Sequence, residues 1–411
     1  MAVIQIISKS DWKSQMVVPV TSLPGALTEP NSVRIKTQLI SLTTNTFTYA
    51  RLGGIVPAMG WWHVWKLPVN ILPEPYNDNT KYTRISAWGF SEVIESTIPE
   101  LKKGTKLYGY QPIGTAPEDL VLEKDDNVSG HWLERSEYRK DLAGIYNRYV
   151  VHEDLDDTNK YDALMMVLWG TGYLMNRFNF AWEHKPVHPF GLPDPDGQLW
   201  GEKEADLSEA VVILLAASGK TGLGFANELR QRPEGKRPLK IVAVGSEQSK
   251  QFTLRTGLFD EVWRYDQVGE YLDSLGPDKV KKIVLADFAS RGSSGDEWAI
   301  GLRKKTDNFL GLIVGGDPLK TSPNKVMTPS QDPKGEVLQV HGGVVRERAF
   351  EDVGIAGYFE GYAKAWEAFK RSKAVENVKV DTGRGPYEFK EGWDRLAKGE
   401  YAADVGLVYE F

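Results

Sequence analysis

A glycine-rich turn between an apolar run and a helix-forming segment is the feature with the clearest chemical meaning. Residues 211–217 are apolar, and the turn that follows them is Ser218, Gly219, Lys220, Thr221, Gly222 and Leu223. A strand that ends in such a turn and leads into a helix brings backbone N–H groups and the positive end of the helix dipole to a phosphate. The spacing therefore predicts a nucleotide site at residues 218–223.

A second phosphate-binding motif competes with this interpretation. Gly219, Lys220 and Thr221 are similar to the end of a P-loop, and Asp287 ends an apolar run, as the Mg²⁺-binding aspartate of NTPases does. A P-loop needs a glycine five residues before its Gly-Lys-Thr, and that position is Leu214. The NTPase hypothesis is therefore disfavoured. A glycine-rich turn that binds no ligand stays open as the stronger rival.

The residues after the next predicted strand indicate the type of dinucleotide. An acidic residue there accepts from the ribose 2′-hydroxyl of NAD, whereas small polar and basic residues suit the 2′-phosphate of NADP. Ser246 and Lys250 favour NADP, and Glu247 favours NAD. The balance favours NADP(H), with a solvated lysine at a helix start as the other interpretation of Lys250.

Thiol and metal chemistry find little support. The chain has no cysteine, which removes disulfides, thiolate nucleophiles and every cysteine-containing metal site. His184 and His188 are four residues apart, but prolines at 186, 189 and 193 rule out the regular helix that would bring both imidazoles to one ion. We therefore expect no metal site and a loop position for both histidines.

The elements that must position these residues fall into two groups. The second half predicts the alternating strands and helices of a parallel sheet, with strands at 211–216, 241–244, 282–286 and 310–315. The first 150 residues are β-rich, with strands predicted at 32–43, 84–95, 105–110 and 146–152. Helices are predicted at 162–182, 225–230, 357–370 and 389–397, a last strand at 405–411, a loop-rich stretch at 111–136 and an inserted loop at 185–206.

Composition limits the class of protein. The 411 residues, 41% apolar and 26% charged, suffice for two folded domains. The net charge of −6, with both signs interspersed, offers no broad basic face, so no nucleic-acid partner is expected. No run approaches the roughly 20 apolar residues that span a bilayer, and residues 1–18 lack the form of a signal peptide. We therefore expect no membrane partner and a cytoplasmic location.

These segments together resemble the medium-chain dehydrogenase/reductase superfamily, as a divergent member of its zinc-free quinone oxidoreductase and enoyl reductase branch. Residues 218–222 are similar to the family's Ala-Ser-Gly-x-x-Gly turn. Residues 241–265 are similar to its next unit, which ends at Tyr265. Residues 310–316 resemble the strand that ends beside the nicotinamide, here at Gly315 and Gly316.

The first half resembles the family more loosely. Asn45, Tyr49, Arg51 and Gly53 resemble the substrate-side stretch in which an asparagine approaches the nicotinamide. The Asn45 to Arg51 spacing is one residue shorter than usual, and the lysine that usually meets the 2′-phosphate falls one residue later, at Lys250. Residues 60–65 have no counterpart, and the insertions at 111–145 and 185–208 are unusual. They are expected to reshape or cover the cleft.

The resemblance implies an α/β fold with a Rossmann doubly wound parallel sheet and a β-rich, GroES-like catalytic domain. The predicted catalytic domain is split between residues 1–155 and 357–411. The predicted Rossmann dinucleotide-binding domain spans 156–356 and carries the inserted loop near 185–208. A homodimer is expected because relatives in this superfamily usually pair through their nucleotide domains.

The implied function is zinc-independent, NADPH-dependent reduction of a polarised C=C or C=O bond in a small molecule. Tyr49 is the first candidate for the catalytic donor or oxyanion partner and His63 the second, each with a purely structural role as the alternative. Trp61 and Trp65 suggest an apolar or aromatic substrate, although such residues also line ordinary cores.

Two other functions stay open at this point. One is lyase or isomerase chemistry on the same fold, with the nicotinamide cofactor lost or repurposed, because a fold does not fix its chemistry. The other is a nucleotide-sensing or structural protein without turnover.

Overall fold

The computed structural model describes residues 1–54, 60–194, 196–316 and 336–411, which group into two compact units. The first unit comprises the described part of residues 1–164, together with 380–401 and 405–411. The second comprises the described part of residues 165–379, together with 402–404. Residues 357–379, which the sequence assigned to the catalytic domain, group with the second unit.

The strands of the described residues are numbered in chain order. They are β1 (Val3–Ser8), β2 (Gln15–Pro19), β3 (Ser32–Leu42), β4 (Tyr82–Thr83), β5 (Ser86–Ser96), β6 (Lys106–Pro112), β7 (Glu118–Lys124), β8 (His131–Glu134), β9 (Arg148–His152), β10 (Ala210–Leu215), β11 (Lys240–Gly245), β12 (Glu261–Arg264), β13 (Lys282–Asp287), β14 (Phe309–Ile313), β15 (Val337–Gln339), β16 (Lys379–Arg384) and β17 (Val405–Glu410).

The helices are numbered in the same way. They are α1 (Thr44–Leu52), α2 (Asn159–Tyr161), α3 (Val167–Leu174), α4 (Glu202–Ala205), α5 (Lys220–Arg230), α6 (Glu247–Thr256), α7 (Val268–Ser274), α8 (Ser294–Arg303), α9 (Gly342–Val353), α10 (Ile355–Lys370), α11 (Lys373–Glu376) and α12 (Gly385–Ala397). Two π-helical turns, Asp162–Met166 and Met175–Asn179, flank α3. Among the described residues, no helix combines the length and the apolar character needed to cross a bilayer.

The first unit is built around a closed antiparallel barrel. Its large sheet has the strand order β16-β17-β3-β5-β6-β9-β8-β7, and an additional pairing of β7 with β3 closes six of these strands into a ring. The stretch at 111–136, predicted as loop-rich, contains β7 and β8, which complete the ring. In β7, Leu120 and Leu122 are buried and Val121 is exposed, so the alternation typical of a half-buried strand is present but short.

The second unit contains a six-stranded parallel sheet in the order β12-β11-β10-β13-β14-β15. The strands β11 and β12 extend the sheet on one side of β10, and β13, β14 and β15 extend it on the other side. Dinucleotide-binding folds have this arrangement. β10 is buried along its whole length, which explains its continuous apolar run. A parallel Rossmann-like sheet with a separate β-rich domain confirms the predicted fold class.

Close packing of two helices fixes the first helix after β10. A Cβ atom on Gly172 of α3 would lie 2.5 Å from the backbone nitrogen of Phe225 in α5, and one on Gly224 would lie 2.8 Å from the Trp169 ring. Glycine at both positions lets α3 and α5 approach each other backbone to backbone. The second turn of α5 is therefore packed directly against α3.

Candidate functional site

The predicted nucleotide turn lies at the carboxyl edge of the parallel sheet. Leu215, the last residue of β10, pairs with Val244 of β11 on one side and Asp287 of β13 on the other. The strand order reverses between β10 and β13, so loops that leave these strands diverge and open a crevice. Parallel sheets bind ligands at such a switch point.

The backbone of the turn is built for close approach. Ala216 has a φ of 55°, in the left-handed region, and the Gly219 N–H donates to the Ala216 carbonyl at 3.0 Å. Gly219 then caps α5. A Cβ atom on Gly222 would lie 2.8 Å from the Ala217 carbonyl oxygen, so only glycine fits there. The first turn of α5 therefore faces the crevice with its N–H groups, as an anion site requires.

Three polar side chains of the turn have no partner within the described part of the chain. Ser218, Lys220 and Thr221 form no side-chain hydrogen bond or ion pair with any residue that the structure describes. Lys220 is partly buried, and desolvation lowers the pKa of its ammonium group to about 8. Leu223 differs from them, because its side chain is buried and its N–H donates to the Gly219 carbonyl at 2.9 Å.

The end of β11 supplies the second group of predicted residues. Ser246 caps α6, and its hydroxyl accepts from the Ser249 N–H at 3.3 Å. Lys250, one turn later, forms no side-chain hydrogen bond or ion pair within the described part of the chain. Gly245 pairs with Arg264 across β11 and β12, which places Tyr265 directly after the neighbouring strand end. Ser246 and Tyr265 therefore follow adjacent strands at the same edge.

Arg264 is a residue of this edge that sequence reasoning missed. Its Nη1 lies 3.3 Å from an Oε2 oxygen of Glu247, and its Nε donates to Asp266 at 2.9 Å. Glu247, the one residue that favours NAD, is thus paired with a cation. The two residues are 17 positions apart and meet only because β11 and β12 pair, so spacing alone gave no signal.

The ends of β13 and β14 form the other side of the crevice. The Asp287 carboxylate accepts from the N–H groups of Ala289 at 3.0 Å and Ser290 at 2.7 Å, and from the Ser290 hydroxyl at 2.6 Å. The Gly315 N–H donates to the Asp287 carbonyl at 3.2 Å. A Cβ atom on Gly315 would lie 2.8 Å from the Phe288 carbonyl oxygen. Gly316 follows this close approach.

The same geometry speaks against the NTPase hypothesis. Leu214 lies inside β10 and is fully buried, so no loop precedes Gly219 that could wrap around a phosphate. Both Asp287 carboxylate oxygens serve the turn that follows β13. Burial raises the pKa of this carboxyl group, although its hydrogen bonds with Ser290 and Ala289 oppose the shift. Its role is to shape the loop.

In the first unit, Asn45 and Tyr49 lie together on α1. The Asn45 Nδ2 donates to the Tyr49 hydroxyl at 2.6 Å, and the Trp88 Nε1 donates to the same oxygen at 3.0 Å. Tyr49 is only 5% exposed. Burial raises the pKa of its phenol, while the hydrogen bonds from Trp88 and Asn45 oppose the rise. The hydroxyl is therefore protonated at neutral pH and held by two N–H donors.

His63 and the tryptophans near it differ in environment. His63 is exposed at the end of the short helical turn Trp61–His63. The Trp61 ring packs against Tyr49 with 4.9 Å between centroids, and the Arg139 guanidinium lies 4.2 Å from the Trp65 ring centroid. Both indoles are buried. Packing within the first unit therefore accounts for the two tryptophans, and they give no separate evidence for an aromatic substrate.

His184, just before the inserted loop, and His188, within it, have separate partners. His184 Nδ1 lies 2.9 Å from Asp352, whereas His188 Nδ1 accepts from the Phe190 N–H at 3.1 Å. In the part of the chain that the structure describes, no three His, Cys, Asp or Glu side chains are grouped so that they could hold a metal ion.

Comparison with known families adds to this geometry. A family model described as "Protein of unknown function (DUF2855)" matches residues 40–402. The chain belongs to this family. No curated protein matches the sequence.

Solved structures share the fold at low sequence identity. An enoyl thioester reductase mutant from Candida tropicalis is 11% identical, with a TM-score of 0.58, covering 100% of this chain and 99% of that one. CurA from Vibrio vulnificus, in complex with NADPH, is 10% identical, with a TM-score of 0.54 and coverages of 97% and 94%. A putative NADPH:quinone reductase from Bacillus thuringiensis is 13% identical, with a TM-score of 0.51 and coverages of 100% and 98%. The predicted resemblance to zinc-free medium-chain dehydrogenases/reductases is confirmed at the level of the fold.

Proposed function

We propose that this protein is an NADPH-dependent, zinc-independent oxidoreductase that reduces a polarised C=C or C=O bond of a small molecule. The observation that carries the proposal is the turn after β10, where the start of α5 meets the side chains of Ser218, Lys220 and Thr221, which have no partner among the described residues. A helix N-terminus, two hydroxyl groups and a partly buried ammonium suit a pyrophosphate. The NADPH complex of CurA, which shares the fold, supports the same assignment.

NADPH rather than NADH is proposed because of the charges at the ends of β11 and β12. Lys250 has an ammonium group without a partner in the described chain, and Arg264 offsets the carboxylate of Glu247. A 2′-phosphate would gain charge-assisted hydrogen bonds from Lys250 and Ser246. The charge of Glu247, the acceptor that a ribose 2′-hydroxyl would use, is partly offset by the Arg264 guanidinium.

Bound NADPH would supply a hydride to the electrophilic carbon of the substrate. The chain's own contribution is to orient the two reactants and to deliver a proton to the resulting enolate or alkoxide. We propose Tyr49 as the proton donor, since its oxygen accepts from Asn45 and Trp88 and these donors would stabilise the phenolate left behind. His63, exposed and without a partner in the described chain, is the second candidate.

The first experiment titrates the purified chain with NADPH, NADH and ATP and follows tryptophan fluorescence. Saturable quenching by NADPH, with weaker quenching by NADH and none by ATP, is the expected result. Absence of binding by all three nucleotides would overturn the proposal.

A second experiment tests the reaction with quinones and enones as acceptors. We expect stoichiometric oxidation of NADPH at 340 nm, a wavelength that reports the reduced cofactor directly. Loss of an acceptor without NADPH oxidation would instead indicate lyase or isomerase chemistry. A Tyr49→Phe variant that binds NADPH as tightly but turns over at least about tenfold more slowly would support the proton-donor role.

A further inference from the structure

A cavity lies in the second unit at the amino edge of the parallel sheet, opposite the edge that carries the glycine turn. Its volume is about 530 Å³, and its wall includes Glu209, Lys282 and Asn308, which stand at the starts of β10, β13 and β14. The glycine turn lies at the ends of these strands. The proposed nucleotide site therefore leaves this cavity unexplained.

Arg232, which follows α5, gives the cavity a fixed cationic wall. This side chain is only 1% exposed. Its Nε donates to the Lys236 carbonyl at 2.6 Å, and its Nη1 donates to Asn176 Oδ1 at 2.9 Å and to the Phe180 carbonyl at 3.0 Å. The Nη2 group, with two N–H bonds, has no partner within the described residues. A buried guanidinium thus keeps one edge available to a ligand.

The other charged groups of the wall are mostly cations. Besides Arg232, four lysines and three acidic side chains line the cavity, together with His184, in a chain whose overall charge is −6. Lys282 donates to the carbonyls of Lys203 at 2.9 Å and Asp206 at 2.6 Å, and burial lowers the pKa of its ammonium to about 8. Of the acidic side chains, Glu209 forms an ion pair with Lys281. Asp206 accepts a hydrogen bond from the Ser208 hydroxyl, and its negative charge interacts favourably with the Arg232 guanidinium.

We propose that this cavity binds a small anionic ligand through its phosphate or carboxylate groups, at a site separate from the nucleotide. The free Nη2 edge of Arg232 would donate to the anion, and the exposed ammonium groups of Lys203 and Lys236 would add charge. Trp182, whose ring centroid lies 4.2 Å from the Arg232 guanidinium carbon, contributes an apolar wall. The volume matches that of ordinary small-molecule sites.

The proposal also gives a role to the second insertion of the sequence. Glu202, Lys203 and Asp206 lie near the end of this insertion, in and after α4. Backbone carbonyls of this segment accept hydrogen bonds from Lys282 and so hold it at the amino edge of the sheet. The segment therefore builds a wall of this cavity in the second unit.

The test uses the full chain and two matched double variants. Calorimetric titrations with inorganic phosphate and, separately, with citrate are run at constant ionic strength and pH 7. Lys203→Gln/Lys236→Gln removes two exposed charges of the wall and retains the backbone carbonyls that bind Lys282 and Arg232. Lys304→Gln/Lys364→Gln removes two exposed charges elsewhere and is the control.

We expect at least one probe to bind the wild-type chain. The dissociation constant of that probe should rise about tenfold in the cavity variant, which corresponds to about 1.4 kcal/mol, and stay unchanged in the control. If the cavity variant binds phosphate more weakly, the ligand is assigned a phosphate group. If only citrate binding is weakened, the ligand is assigned a carboxylate group. Equal affinities in the two double variants, or no binding of either probe at millimolar concentration, would overturn the proposal.

Discussion

At the scale of single residues, Lys250 carries the proposed preference for NADPH. It lies on α6 just after the cap residue Ser246, and its ammonium has no partner among the described residues. In a Lys250→Met variant we expect the dissociation constant of NADPH to rise about tenfold and that of NADH to change less than about twofold, because only NADPH carries a 2′-phosphate. Fluorescence titration measures both constants.

Lys304→Met serves as the matched control, since Lys304 is an exposed lysine outside the carboxyl edge of the sheet. Equal losses of affinity for NADPH and NADH in the Lys250 variant would remove the argument for 2′-phosphate recognition and restore the solvated-lysine interpretation.

Lys220 predicts a pH dependence of nucleotide binding. Desolvation lowers the pKa of its ammonium to about 8, so the free protein carries this charge below that pH and loses it above. A phosphate favours the charged form, and the affinity for NADPH should therefore be constant near pH 7 and fall as the pH rises through 8 towards 9.5. A Lys220→Met variant should bind more weakly at pH 7 and lack this slope. Parallel pH profiles for the two proteins would contradict the assignment.

At the scale of elements, Glu228 makes the stability of α5 depend on pH. Its carboxyl group is buried, and desolvation raises its pKa to about 7 from the ordinary 4.5. The folded state thus binds the proton more tightly than the unfolded state, and this stabilising contribution is lost as the pH rises from about 4.5 through 7. At pH 8, Glu228→Gln should be more stable than wild type by on the order of 3 kcal/mol.

Thermal or urea unfolding at pH 5 and pH 8 measures this effect, with Glu234→Gln as a control at an exposed position. The gain of the Glu228 variant should be much smaller at pH 5, where the buried carboxyl group is protonated. A Glu228→Gln variant that is less stable than wild type at pH 8 would show that the carboxylate is stabilised by its neighbours.

The elements that were predicted best from the sequence are the strands buried on both faces, because each of them is a continuous run of apolar residues. Strands β10, β11 and β13 are covered on both faces and read as continuous apolar runs, so their positions were predicted within a few residues. No strand was predicted at β12, because Glu261–Arg264 is a short, half-buried edge strand in which charged and apolar residues are mixed. β7 was missed because its alternation covers few residues.

The candidate site shows the same division. Gly222 was predicted from residue type and spacing and Gly315 from the family resemblance, and each is a close backbone approach in the structure. Arg264 was missed because its contact with Glu247 exists only across paired strands. The cavity beside Arg232 was missed because its wall comes from five separate segments, which no local pattern links.

At the scale of the whole molecule, the two proposed sites lie at opposite edges of one sheet and predict separate regions of protection. Saturating NADPH should slow amide hydrogen exchange in residues 216–222 and 246–250, because their backbone surrounds the ends of β10 and β11. The anionic probe that binds should slow exchange in residues 202–209 and 232–236, which line the cavity.

Each ligand also stabilises the folded chain by mass action, by about 2.7 kcal/mol at a concentration one hundred times its dissociation constant. This stabilisation slows exchange at every amide that exchanges only when the whole chain unfolds, wherever the ligand binds. The position of a ligand is therefore reported by amides that exchange through local opening in the free protein. Protection of residues 202–209 by NADPH alone would mean that the nucleotide itself occupies the amino-edge cavity. Protection confined to each ligand's own edge would establish two sites in the second unit, one for the nucleotide and one for the anion.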